Sequence, residues 1–211
     1  MYFVAGLFIT FEGPDGSGKT TIAALVAEAL KNKGIDVVLT REPGGIEIAE
    51  QIRKIILDPK NTAMDERTEA LLYAAARRQH LIEKVLPALK ENKIVICDRF
   101  VDSSLVYQGV GRGIGIDKVY EMNLFAIEGI MPDFTIFFDI DPKLGLERTK
   151  KDDKRTLDRL DLEDLTFHQK VYDGYMEVVE RFKERIICID ASKSIEEVKN
   201  NVMDLIEDHL K

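Results

Sequence analysis

Apolar positions along the chain fall into two alternating rhythms. Short, nearly continuous runs lie at 7–12 (LFITFE), 36–40 (DVVLT), 94–98 (IVICD), 134–139 (FTIFFD) and 186–190 (IICID). They are rich in β-branched residues and read as strands covered on both faces, as in a parallel sheet between helical layers. Longer stretches with helical spacing lie between them, near 18–33, 46–57, 65–91, 100–108, 117–129, 142–150, 164–184 and 194–210. In the last of these, Ile195, Val198, Val202, Leu205 and Ile206 form one apolar stripe. Ser194 followed by Glu197 predicts a capping box at its start. Strand–helix alternation predicts an α/β fold with right-handed crossovers. The 211 residues suit a single domain, 1–211, with no internal repeat or linker. The segment 148–162 breaks the rhythm: ten of its fifteen residues are charged, and it is expected to be a mobile excursion.

Composition narrows the partners. A formal net charge of -8 makes the chain a poor nucleic-acid binder, so any anion site must be a local basic cluster. No run reaches transmembrane length, so no membrane partner is expected. The apolar N-terminal stretch lacks a basic leader and continues into a glycine-rich motif, which argues against a signal peptide. Cys97 and Cys188 lie in apolar runs and read as buried thiols of a cytoplasmic protein. His80, His168 and His209 read as ordinary, partly exposed helix residues.

The chemistry begins at 13–20, GPDGSGKT, placed after a strand and before a helix. Gly13-x4-Gly18-Lys19-Thr20 is a complete Walker A phosphate cradle. Pro14, Asp15, Gly16, Ser17 and Thr21 complete the segment that would surround a triphosphate. Its backbone N–H groups and the following helix dipole favour phosphate oxygens. Lys19 supplies a point charge, and Thr20 a hydroxyl for Mg²⁺. Asp98, at the carboxyl end of the third strand, is the expected second magnesium residue. Arg99 beside it has no use in a core and suits a second phosphate. A regulatory GTPase fits poorly. "TKKD" at 149–152 follows a helical pattern, and no D-x-x-G occurs outside the cradle itself.

Further segments make the resemblance specific. DRFVDSSLVYQG (98–109), REPGGIEIAEQIR (41–53), TEALLYAAARRQH (68–80), PDFTIFFDIDPKLGLER (132–148) and RTLDRLDLEDLTFHQKV (155–171) occur in order. Together they resemble the thymidylate kinase family. The resemblance implies a P-loop nucleoside monophosphate kinase-like fold, with a five-stranded parallel sheet of order 2-3-1-4-5. It also implies transfer of the ATP γ-phosphoryl group to dTMP with Mg²⁺, and a homodimer. Arg53 and Arg99 would grip the acceptor phosphate, and Tyr73 would stack on the base. Arg77, Ser104 and Gln108 would reach its polar groups. Tyr107 would close the space beside the sugar 2′ carbon. Asp15 would meet the 3′-hydroxyl, with Glu42 bracing the site. Arg148 would lie beside adenine. The cradle carries no arginine at Asp15 or Gly16, so a bacterial-type lid arginine is implied. Arg155 fits that place best, with Lys154 and Arg159 as alternatives. A kinase of dUMP or of a deoxynucleoside is the enzymatic rival, and a nucleotide switch the non-enzymatic one.

Overall fold

The computed structural model describes residues 6–150, 159, 163 and 165–210. Five strands, β1 Phe8–Glu12, β2 Val37–Arg41, β3 Ile94–Asp98, β4 Phe134–Asp139 and β5 Ile186–Asp190, form one sheet of order β2-β3-β1-β4-β5. Every pairing is parallel. The strand positions and order are those the sequence and the resemblance predict. Central strands β1 and β3 are buried at every position, whereas edge strands β2 and β5 alternate between buried and open. That difference corrects one expectation: Cys97 on β3 is buried, but Cys188 on edge strand β5 is exposed.

Helices cover both faces. On one face, α1 Lys19–Asn32 and α9 Ile195–His209 seal Ile9, Phe11, Ile96 and Phe138. On the other, Phe8, Val95, Cys97 and Phe137 meet the layer built largely from α6 Ile116–Ile127 and α8 Leu165–Arg181. Phe8 and Phe100 meet edge-to-face at 5.1 Å, a geometry that adds to simple area burial.

Two predicted helices are interrupted. The 65–91 pattern forms α3 Glu66–His80, a π-helical stretch Leu81–Val85, and α4 Leu86–Lys90. Pro87 has no N–H to continue an α-helical ladder, and the wider turn precedes it. The 100–108 pattern forms α5 Val101–Ser104 and a π-helical stretch Leu105–Gly111. Wide turns of this kind re-aim side chains and recur at functional sites. Here the second one carries Tyr107 and Gln108. The histidines also depart from expectation. His80 is wholly buried between Thr40 and Glu42, and His168 is buried too; His209 is exposed and stacks on Phe134. No described helix is long and apolar enough to cross a membrane.

Candidate active site

β1 ends at Glu12, and the chain turns through 13–18 into α1. Two glycines there are required by geometry. Gly18 has φ +85°, the left-handed region, and its open side has no heavy atom within 4 Å of an added Cβ. At Gly16 an added Cβ would lie 2.0 Å from the carbonyl oxygen of Gly145, so this loop and α7 Pro142–Lys150 approach backbone to backbone. Lys19 folds back over the loop and donates to the carbonyls of Gly13 and Pro14 at 2.9 and 2.8 Å, and to Ser17 Oγ at 3.1 Å. Burial, and then the neighbouring Arg99 charge, lower its pKa to about 8. A polyphosphate would restore the charge partner that burial denies it.

Thr20 Oγ1 donates to Asp98 Oδ2 at 2.5 Å. A hydroxyl and a carboxylate side by side, facing the cleft, are the hard oxygen donors that a magnesium ion takes. Asp98 reaches this place because β3 ends there, beside β1 and β2.

One cleft of about 840 Å³ joins the cradle to the helices beyond it. It is lined at the cradle by Asp15, Gly16, Ser17, Gly18, Lys19, Thr20 and Thr21. Gly13 and Pro14, expected to contact nucleotide, stand behind that lining. Their carbonyls hold Lys19 instead. At one end Arg148 spans from α7 to the carbonyls of Ala191 and Ser192, at 2.9 and 3.2 Å. Lys193, Ser194 and Val198 line the same end.

At the other end, Arg53, Tyr73, Arg77, Arg99, Ser104, Tyr107 and Gln108 share the cleft wall with Glu42. Arg99 has φ +69°, an uncommon backbone state for a non-glycine residue, which marks a constrained position. Its Nη2 donates to Asp15 Oδ1 at 2.6 Å. Its Nη1 lies within 3.3 Å of Gly13 O, Ser103 Oγ and Tyr175 Oη. The guanidinium also sits 5.1 Å from the centre of the Tyr107 ring, whose hydroxyl donates to Asp15 Oδ2 at 3.4 Å. Asp15 and Arg99 thus form an oriented pair inside the cleft. Arg53 Nη1 donates to Pro43 O at 2.9 Å.

Arg77 is 2% exposed and heavily committed. Nε donates to Glu42 Oε2 at 2.7 Å, Nη1 to Ser104 Oγ at 3.0 Å and to Asn123 Oδ1, and Nη2 to Phe100 O at 2.8 Å. Glu42 braces Arg77 and His80 rather than standing free in the cleft. Arg155 and Lys154 lie outside the described residues. Arg159, the other lid alternative, is buried against Glu69 and donates to Ile56 O, and it is not among the residues lining the cleft.

Four contributors escaped the reading of the sequence: Glu12, Glu69, Asn123 and Tyr175. Only Glu69 left a trace, since it precedes Tyr73 and Arg77 by four and eight residues on the same helical face.

Parallel sheet, phosphate cradle and a second basic pocket across one cleft define a P-loop phosphotransferase of the nucleoside monophosphate kinase class. The thymidylate kinase family model matches residues 11–202. A thymidylate kinase of Geobacillus sp. (strain WCH70) is 63% identical over 193 residues, covering 92% of each chain. One from Oceanobacillus iheyensis is 58% identical over 207 residues, covering 98% of this chain and 92% of that protein. The crystal structure of the Ehrlichia chaffeensis thymidylate kinase superposes with a TM-score of 0.77 at 35% identity, covering 96% of this chain and 99% of that one. The chain belongs to the thymidylate kinase family.

Proposed function

We propose that this protein transfers the γ-phosphoryl group of ATP to dTMP, giving dTDP and ADP on the route to dTTP. The observation that carries this reading is the single cleft in which Lys19 and Thr20 face the Asp15–Arg99–Tyr107 cluster. ATP lies with its phosphates on the cradle and adenine beside Arg148. Thr20 and Asp98 hold Mg²⁺, which when bound neutralises charge on the donor phosphates.

Arg53 and Arg99 clamp the dTMP phosphate and aim one oxygen at the donor. Fixing two reactants in line supplies much of the rate in this reaction class. No general base is assigned, because the acceptor phosphate is already ionised at neutral pH. Asp15 accepts from the 3′-hydroxyl. Its carboxylate is already oriented by Arg99 and Tyr107. The Tyr107 ring fills the place of a ribose 2′-hydroxyl. Tyr73 stacks on thymine, while Arg77, Ser104 and Gln108 meet its polar edge. Arg155 brings the positive charge to the transferred group that the cradle lacks.

A homodimer is the assembly we assign. Exposed apolar side chains support it on adjacent helices: Leu71 on α3 and Phe125 on α6. Two free cysteines and the nucleotide substrates support a cytoplasmic setting.

The test is an acceptor panel. The protein is incubated with ATP, Mg²⁺ and a set of nucleosides and monophosphates, and the phosphorylated products are identified. The expected result is dTDP from dTMP as the preferred reaction. Turnover of another acceptor with none of dTMP would overturn the assignment.

A further inference from the structure

The acceptor end contains a buried carboxylate that the proposed chemistry leaves unused. Glu69 is 1% exposed and lies one helical turn before Tyr73. Its Oε1 accepts from Gln108 Nε2 at 2.8 Å. Its Oε2 accepts from Arg159 Nη2. Arg112 Nε lies 3.4 and 3.3 Å from the two oxygens. Both arginines are tethered in turn. Arg159 Nε donates to Ile56 O at 2.9 Å, and Arg112 Nη1 donates to Glu163 Oε1 at 2.6 Å. The Arg112 guanidinium also packs 4.9 Å from the centre of the Phe167 ring. The carboxylate is therefore fixed from three sides.

This arrangement decides which way round the Gln108 amide sits. A carboxylate paired with two guanidiniums is an acceptor only. The amide nitrogen must face it. A flipped amide would set its carbonyl oxygen against a carboxylate, an acceptor facing an acceptor, and leave that buried carbonyl without a donor. Gln108 is 1% exposed and lines the cleft, so water cannot compensate for a flip. What remains for a ligand is a carbonyl acceptor next to one N–H donor. A 4-oxo pyrimidine presents the complement, an N3–H donor beside a carbonyl. A 4-amino pyrimidine presents the reverse, an N3 acceptor beside an amino donor. A freely rotating glutamine could serve either base.

We infer that Glu69 is a specificity-determining positioning residue: by locking the Gln108 amide it admits 4-oxo pyrimidine monophosphates and rejects 4-amino ones. The inference rests on Gln108 reading the base. Arg77, a pure donor, favours the same 4-oxo group, so loss of Glu69 weakens discrimination without abolishing it.

The experiment compares kcat/KM for dTMP and dCMP in the full-length protein with ATP. In Glu69→Gln the new side-chain amide can donate or accept, and Gln108 is free to flip. The dTMP:dCMP ratio is expected to fall about tenfold or more, mainly through gained dCMP use, while KM for ATP changes less than about twofold. Because Glu69→Gln removes the anion that Arg159 and Arg112 share, Glu69→Asp is measured alongside it. The shorter acid keeps the charge but withdraws from Gln108, and the same loss of discrimination is expected. A folded variant with the native ratio, or with both acceptors weakened equally, overturns the inference. Where only Glu69→Asp folds, it decides. Gln108→Leu separates the two levels of the argument. If it leaves KM for dTMP unchanged, the assignment of Gln108 to the base fails. If it raises that KM while the Glu69 variants keep native discrimination, only the role of Glu69 fails.

Discussion

Glu12 closes β1 immediately before the cradle, and its carboxylate gathers four donors. Phe100 N and Ser103 N lie at 2.6 and 3.2 Å, Ser103 Oγ at 2.5 Å and Tyr175 Oη at 3.0 Å. Ser103 and Tyr175 also contact Arg99, so Glu12 steadies Arg99 from behind. Burial, and then the nearby Asp102 charge, raise its pKa from 4.5 to about 7, while Ser103, Arg99 and Phe100 pull the other way. A carboxyl with a raised folded pKa contributes stability that is whole below about pH 4.5 and is lost as pH rises through 7. Glu12→Gln removes that titration. Its melting temperature relative to the native chain is therefore expected to rise between pH 5 and pH 8, a swing on the order of 3 kcal/mol at most. A difference that stays flat across that range would show that Glu12 titrates normally. A second residue-scale expectation concerns Arg155. Arg155→Ala should lower kcat about 100-fold or more with little change in dTMP affinity, because its charge is needed at the transition state. Steady-state kinetics with normal kcat would move that role to another residue. The two residues also differ in legibility. The cradle is a local motif, so Lys19 and Thr20 could be read directly. Glu12 finds its partners 88, 91 and 163 residues away, and only the folded sheet brings them together.

Among the elements, α9 connects local sequence to the cleft most simply. Ser194 accepts from the Glu197 backbone N–H, and the Glu197 side chain accepts from the Ser194 backbone N–H. The same turn lines the Arg148 end of the cleft through Ser194, Ile195 and Val198. Ser194→Ala is expected to cost about 1 kcal/mol in denaturant unfolding. It should also raise KM for ATP while leaving KM for dTMP unchanged. A loss of stability with both constants native would restrict the cap to a structural role. This cap was visible in the sequence because its two side chains are three residues apart. The three inner strands were visible because burial on both faces leaves nearly continuous apolar runs, and edge strands β2 and β5 keep similar runs although some of their positions are open. The π-helical stretches were not visible, since periodicity alone does not distinguish a widened turn from an ordinary one. Pro87 hinted at the first. The second, Leu105–Gly111, depends on packing against α6 and α8, elements that begin further along the chain. That stretch presents Tyr107 and Gln108 to the cleft, so the residue types of the proposed acceptor site could be named from the sequence while their placement could not.

At the scale of the molecule, a two-faced sheet fixes where chemistry can occur. Strands β1 and β3 end together, and the cleft opens where Glu12, the cradle and Asp98 converge, the usual place for ligands in open α/β sheets. The remaining question is what covers the outer face of α3 and α6. Phe125 is 88% exposed and Leu71 59% exposed, although both helices bury their other faces. Removing such a water-facing phenylalanine from solvent against a partner would be favourable. A second copy would do so symmetrically, as most soluble oligomers do. Phe125 also stands two residues from Asn123, whose side chain holds Arg77 in the acceptor wall. Burial of the outer face of α6 should therefore steady the inner one. Phe125→Glu is expected to sediment as a monomer at micromolar concentration, where the native protein is expected to sediment as a dimer. KM for dTMP should rise several-fold more than KM for ATP, because the Asn123 contact that helps hold Arg77 is loosened while the cradle on the far side of the cleft is untouched. A monomeric native protein would remove the premise. A monomeric variant with both constants native would separate assembly from base recognition, leaving α6 to hold Arg77 by its own packing alone.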